Sequence, residues 1–425
     1  MATLKKIPVA QARLGMHVHK LAGSWISHSF WRTRFRIDSA DELARLRDSG
    51  AAECWIDVDL GLDVAAEPGP LPMPDPVPDP PAVPAPQPAA GAGPKAGAAA
   101  ARDGPVPLEV EMREAAAIIG RGRGAVRSLF NEVRLGRTLS VEGCEGLVEE
   151  VASSVQRNAG ALLSLARLKT QDDYSYMHSV AVCALMVALG RGLGLDEAGC
   201  RAAGAAGLMH DIGKALMPLE VLNKPGRLTD DEFAVMRTHP ERGHALLQES
   251  GTAPASMLDV VLHHHERIDG TGYPQRLDGD RLSRLARMGA ICDVYDAITS
   301  NRPYKAGWDP AVSISRMAGW KGHFDPEIFA VFVRTLGIYP IGSIVRLASG
   351  RLAIVVEQNP EQLVAPRVKV FFSTRSQLPI VPEALDLARS SDRIVGRESR
   401  DSPGARLPRL DELWADPEVL QAMKA

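Results

Sequence analysis

Long hydrophobic runs are missing from this sequence. The longest apolar stretch, Val180–Gly190, is about half the length a membrane span requires, so no membrane anchor is expected. Met1–Met16 carries Lys5 and Lys6 but no apolar segment behind them, which is not the pattern of a secretory signal. Paired cysteines are missing too. Cys54, Cys144, Cys183, Cys200 and Cys292 are scattered without a CxxC, and an odd, unpatterned set of thiols fits a reduced, cytoplasmic protein. Nor is there an excess of basic charge: 49 Lys and Arg against 52 Asp and Glu leave a net charge of −3. With no global field to grip a nucleic-acid backbone, a small anionic ligand has to be caught by a local cluster of cations.

What is present divides the chain. Its 425 residues, 45% hydrophobic and 24% charged, suit a soluble globular protein of two to three domains. Residues 1–62 read as a small α+β domain. Strands are expected at Lys5–Val9, Met16–Leu21 and Cys54–Leu60, with a helix Ala40–Arg47 opened by the capping pair Ser39 and Glu42. Residues 63–107 hold 14 of the 31 prolines and too few large apolar side chains to fold, so they read as a disordered tether. From 110 to 340 the apolar spacing turns helical, through Glu111–Ile119, Val141–Arg157, Asn158–Leu168 and His178–Leu193. Thr229 with Glu232 forms a second capping pair, and Pro240 starts another helix. Residues 341–425 read as a small β extension (Ser343–Leu347, Leu352–Glu357, Arg367–Phe372) and, over the last 40 residues, an irregular tail with short helices. The fold class is therefore mainly α, a helical bundle with a small N-terminal α+β domain and a short C-terminal β extension.

Six of the eleven histidines lie between 210 and 265. In chain order the informative positions are His178, His210-Asp211, His239, His263-His264-His265 with Glu266, and Asp293. Successive groups are about 25–32 residues apart, a helix plus its return, so antiparallel helices can bring them to one point. Imidazoles with carboxylates suit borderline divalent metals such as Fe, Mn or Zn, and a carboxylate can bridge two ions. Singly, each position leans to an ordinary core or surface residue, as His244 and His323 do. Directly after the histidines, Asp269-Gly270-Thr271-Gly272-Tyr273-Pro274 forms a tight turn. Asp293 and Asp296 then share a face of the helix Leu282–Ser300. Lys214, Arg302 and Lys305 are cations placed to meet an anion.

His210-Asp211-Ile212-Gly213-Lys214, His264-His265-Glu266, Gly272-Tyr273-Pro274 and Arg302-Pro303-Tyr304-Lys305 occur in the order of the HD-GYP family, which residues 120–340 resemble. The resemblance implies an HD-type helical bundle and a cytoplasmic, metal-dependent phosphodiesterase. It implies hydrolysis of cyclic di-GMP to linear pGpG, with GMP as a further product left open. Carried over position by position, it implies one metal on His178, His210, Asp211 and Asp293. A second would sit on Asp211, His239, His264 and His265, with Fe first and Mn second among divalent ions. His263 matches no family ligand. Lys214, Arg302 and Lys305 match phosphate-holding residues, and the resemblance implies catalytic roles for Asp211 and Lys214. Tyr273 is expected to be exposed enough to stack on a guanine or, equally, to contact another protein. A diguanylate cyclase (GGDEF) partner at the GYP loop is implied as an option, and a homo-oligomer is left open. The N-terminal unit resembles a domain of unassigned function found ahead of such bundles.

Two positions depart from the family. Relatives with a third metal carry Glu one turn before the first histidine, where this chain has Tyr174, so two metals are expected. The family tends to have Gly two residues after the GYP proline, where this chain has Arg276. Three other functions compete with this reading: an idle cyclic di-GMP receptor or cyclase scaffold, another HD-type nucleotide phosphohydrolase, and a nucleic-acid binder using Trp31–Arg36. The filled ligand positions, the GYP and RPYK segments, and the commonness of basic edge strands count against them in turn.

Overall fold

Alternating apolar residues and a short central strand set the first unit. The computed structural model describes residues 4–22, 35–37, 43, 46–47, 53–57, 59–62, 106–137, 142–168, 174–224, 226–300, 307–400, 402, 404–406 and 409–423. It comprises two compact units, Met1–Ala98 and Ala99–Ala425. In the first, β1 (Leu4–Pro8), β2 (His17–Ala22), β3 (Phe35–Arg36) and β4 (Glu53–Asp57) pair antiparallel in the order β1-β4-β2-β3. Ile7, Val9, Met16, Val18, Cys54 and Ile56 close a small core with Ile37 and Leu46. Of the expected helix Ala40–Arg47, the described residues Leu43, Leu46 and Arg47 are helical, and Arg47 donates to the Ala12 carbonyl at 2.8 Å. Within Trp31–Arg36, the described pair Phe35–Arg36 is an edge strand. Residues 63–105 lie outside the described residues.

The second unit is built around a helix buried on all sides. That helix, α3 (Tyr174–Gly192), is preceded by α1 (Leu108–Arg134) and α2 (Glu145–Leu165). Residues Met177–Leu189 of α3 are buried in an unbroken run, which is why its sequence shows no polar stripe. The apolar stretch that is too short for a membrane is thus the centre of the core. No helix of the described residues is long and apolar enough to cross a membrane. α2 is broken at Asn158 (φ −163°, ψ 95°), between the two segments expected there, and the Asn158 side chain donates to the Val106 carbonyl.

α4 (Glu197–Met209), a short α5 (Leu219–Leu222), α6 (Asp230–Met236), α7 (His239–Ser250) and α8 (Ala255–His263) follow. The Thr229–Glu232 capping box is formed in both directions, and Pro240 occupies the first turn of α7. α9 (Arg284–Thr299), α10 (Pro310–Gly319) and α11 (Pro326–Leu336) start on Ser283, Asp309 and Asp325, whose side chains accept from first-turn amides.

β5 (Ile344–Leu347), β6 (Arg351–Glu357), β7 (Arg367–Ser373), β8 (Leu378–Asp386) and β9 (Ile394–Arg397) form an antiparallel sheet in the order β8-β7-β6-β5-β9. Alternate residues serve two cores. Ile344, Leu352 and Ile354 join the helical core, and Val345, Ala353 and Val355 join a separate cluster. A short α12 (Pro417–Ala422) closes the chain. β8 lies between the expected β extension and the last 40 residues, and within those residues β9 adds a strand to the expected irregular stretch and its short helix. β8 carries Pro379 and Pro382 and is largely exposed, a pattern that reads as loop although an edge strand tolerates it.

Candidate metal centre

The chain brings its histidines together by ending helices at one place. α4 stops at Met209 and delivers His210-Asp211, and α8 stops at His263 and delivers His264-His265. His239 opens α7, His178 lies near the start of α3, and Asp293 and Asp296 lie within α9. Two donor groups result among the described residues: His178, His210 and Asp211, and Asp211, His239, His264 and His265. Asp211 belongs to both.

Hydrogen bonds on the outer nitrogens decide which way each imidazole points. His178 Nδ1 pairs with Asp296 Oδ2 at 2.6 Å, His210 Nδ1 with the Gly207 carbonyl at 2.8 Å, and His239 Nδ1 with the Met236 carbonyl at 2.8 Å. His264 Nδ1 faces the Val261 carbonyl at 3.0 Å. An acceptor on Nδ1 places the proton there and leaves the Nε2 lone pair free. Those lone pairs converge: His178 and His210 approach Nε2 to Nε2 at 3.2 Å, and His239 and His264 at 3.3 Å.

Asp211 completes each pair with a different oxygen. Oδ2 lies 3.3 Å from His210 and 3.5 Å from His178, whereas Oδ1 lies 3.2 Å from His239 and 3.7 Å from His264. Oδ1 is buried and has no hydrogen-bond donor. Asp293 is arranged alike, with Oδ1 3.0 Å from His178 Nε2 and Oδ2 3.5 Å from His265 Nδ1. Buried lone pairs that face one another and an orphaned carboxylate oxygen are unfavourable unless a cation lies between them. The donor set therefore fits divalent metals.

On His239 and His265, burial keeps protons from supplying that positive charge. Burial lowers the His239 pKa to about 4 and, reinforced by His264, holds His265 well below the usual imidazole value. Burial also opposes the charge on His178, but its bonds to Asp293 and Asp296 outweigh this and its pKa is raised. Asp211 stays ionised because His210 and Lys214 overcome the burial that would push it up. Asp293 is likewise held low against burial, chiefly by its bond to His178.

The other expected positions separate. Lys214 Nζ is paired with Asp211 Oδ2 at 2.5 Å. Tyr273 is half-buried, which corrects the expectation of an exposed ring. Its ring stacks on His265 at 4.7 Å and carries the Arg237 guanidinium 4.6 Å from its centroid. The cause lies one residue earlier, where a Cβ on Gly272 would come within 2.5 Å of the Glu266 and Arg267 backbone, so the loop folds back over the histidines. His263 joins neither donor group and bonds Asp259 at 2.8 Å. Arg302 and Lys305 lie outside the described residues.

Three contributors were not assigned from sequence. Asp296 orients His178, Glu266 accepts from the Gln275 amide at 2.6 Å to anchor the loop, and Arg237 covers Tyr273. The Asp293–Asp296 spacing of one helical turn and the adjacency of Glu266 to the ligand pair were the available signals. Arg237 had none, because its contact is made across the fold.

A family model described as an HD domain matches residues 154–328, and one described as a domain of unknown function (DUF3391) matches residues 4–144. Together with the full-length similarity that follows, this places the chain in the HD-GYP family of HD-domain phosphodiesterases. It is 51% identical over 414 residues to a cyclic di-GMP phosphodiesterase of Pseudomonas aeruginosa, covering 97% of this chain and 95% of that one. It is 36% identical over 203 residues to the cyclic di-GMP phosphodiesterase response regulator RpfG of Xanthomonas campestris, covering 47% and 53%. A 3′3′-cGAMP-specific phosphodiesterase of Vibrio cholerae is 33% identical over 189 residues, covering 44% and 42%.

Proposed function

We propose that this chain hydrolyses cyclic di-GMP to linear pGpG with two divalent metal ions, lowering the level of that second messenger. The observation that carries the reading is Asp211, whose two buried oxygens each face a different imidazole pair. Near full-length identity to a cyclic di-GMP phosphodiesterase supports the substrate. We assign one ion to His178, His210, Asp211 and Asp293, and the other to Asp211, His239, His264 and His265. Nitrogen with carboxylate oxygen suits borderline divalent ions such as Fe, Mn or Zn, and the family resemblance puts Fe first and Mn second.

When bound, such ions lower the pKa of a water and neutralise charge on the phosphoryl oxygens. The protein's own part is preorganisation. Main-chain carbonyls and Asp296 fix the imidazole tautomers, and Lys214 holds Asp211 ionised and oriented. Arg302 and Lys305 complete the phosphate grip with Lys214. We place contact with a diguanylate cyclase at the exposed loop residues Thr271, Gln275 and Arg276. The five cysteines are all free and buried, in keeping with a cytoplasmic protein.

Anaerobic purification, metal analysis and chromatography of products from cyclic di-GMP and 3′3′-cGAMP test the proposal. Two ions per chain are expected, with pGpG accumulating before GMP. Metal-loaded protein that leaves cyclic di-GMP intact overturns it. Faster opening of 3′3′-cGAMP reassigns the substrate, and three ions per chain would show that Tyr174 does not exclude a third site.

A further inference from the structure

We propose that Arg237 is a substrate-binding residue that holds the second phosphodiester of a cyclic dinucleotide, the one not under attack. The inference rests on the function proposed above and assigns a part of the substrate to a residue outside the metal set. Arg237 caps the C-terminus of α6, two residues before His239. Its guanidinium lies over the Tyr273 ring, and that ring stacks on His265. The cation is therefore two ring contacts away from the donor cluster, at its rim.

Among the described residues, the neighbouring cations are paired with carboxylates. Lys214 is bound to Asp211, and Arg267 pairs with Asp269 at 3.2 Å. Arg237 makes no ion pair among the described residues. A half-buried arginine without a carboxylate is a binding-competent cation, because guanidinium is weakly hydrated and an aromatic face holds it oriented without neutralising it. A cyclic dinucleotide carries two diesters on opposite sides of its ring. When one sits at the metals, the other is an anion displaced toward the rim and needs a donor fork of this kind.

The rival role is mechanical, with Arg237 merely bracing the loop that covers His265. A brace would affect every diester alike, whereas a holder of the second phosphate matters for a substrate that has one. The test uses the metal-loaded full chain as wild type, R237A, R237Q and R237K, with cyclic di-GMP and with bis(p-nitrophenyl) phosphate, a single diester. In R237A the ratio of kcat/KM for cyclic di-GMP to that for the single diester should fall about tenfold to a hundredfold, as expected for one charged hydrogen-bonded contact, and chiefly through KM. R237K should recover part of the loss. R237Q, similar in length but uncharged, carries the same expectation if truncation to alanine prevents folding. An unchanged ratio, or loss of bound metal, makes Arg237 a brace and overturns the proposal. Wild-type protein that cleaves the single diester but not cyclic di-GMP overturns the substrate reading itself, and this role with it.

Discussion

A carboxylate offers two oxygens about a fixed axis, and Asp211 gives one to each imidazole pair. That division makes one residue responsible for both halves of the site. Asp211→Ala is expected to unload both ions and slow turnover at least about a thousandfold, roughly 4 kcal/mol of barrier. Full metal content with retained activity would show that the two halves do not depend on it. Asp296 acts one layer out, by holding the proton on His178 Nδ1. Asp296→Ala should weaken metal affinity by about tenfold to a hundredfold, the usual effect of losing a partner behind a ligating histidine. Asp296→Asn, which keeps an acceptor, should lose less. Titrating metal into the stripped variants distinguishes the two, and equal affinities would remove the positioning role.

Elements meet at this site through glycine. A Cβ on Gly213 would lie 1.9 Å from the His239 carbonyl oxygen and 2.6 Å from the Gly243 nitrogen. The turn after His210-Asp211 can therefore reach the start of α7 because position 213 has no side chain. Gly213→Ala should cost about 3 kcal/mol, the upper range for overpacking against a backbone that cannot yield. It should also lower metal content, read together by the denaturant midpoint and metal analysis. An unchanged midpoint would mean that the turn has room to move.

The GYP loop shows the opposite situation. Arg276 sits at φ 55°, the left-handed region that side chains disfavour and glycine accepts, and glycine is the residue the family tends to have there. Arg276→Gly should stabilise the protein by about 1 kcal/mol. A loss of stability would mean that the Arg276 side chain is anchored in a way that outweighs the strain.

For the whole molecule, the question is where the catalytic unit begins. The DUF3391 match runs through residue 144, yet α1 belongs by packing to the second unit. Leu108, Met112, Ile119 and Phe130 are buried in the helical core, and Phe130 meets Tyr176 edge to face, two residues before His178. Deleting residues 1–105 should leave a folded protein that loads metal and turns over substrate. Deleting 1–137 should expose that core and abolish folding, as circular dichroism and metal content will report. A shorter deletion that is folded but inert would make the N-terminal unit part of the catalytic machine.

The sequence by itself determined the residues that converge and much of the helical layout. Caps and breaks are local chemistry, so the Thr229–Glu232 box, Pro240 and the division at Asn158 could be read without a fold. Histidine spacing likewise pointed to a common meeting point, and the family resemblance carried by the short motifs implied how the ligands divide. The tertiary structure alone decided what depends on through-space contact: which Asp211 oxygen faces which imidazoles, that Asp296 stands behind His178, that Tyr273 is turned inward, and that Arg237 lies over it. It also decided that the proline-bearing segment 378–386 is a strand, because an edge position supplies a pairing partner on one side that no local signal reveals.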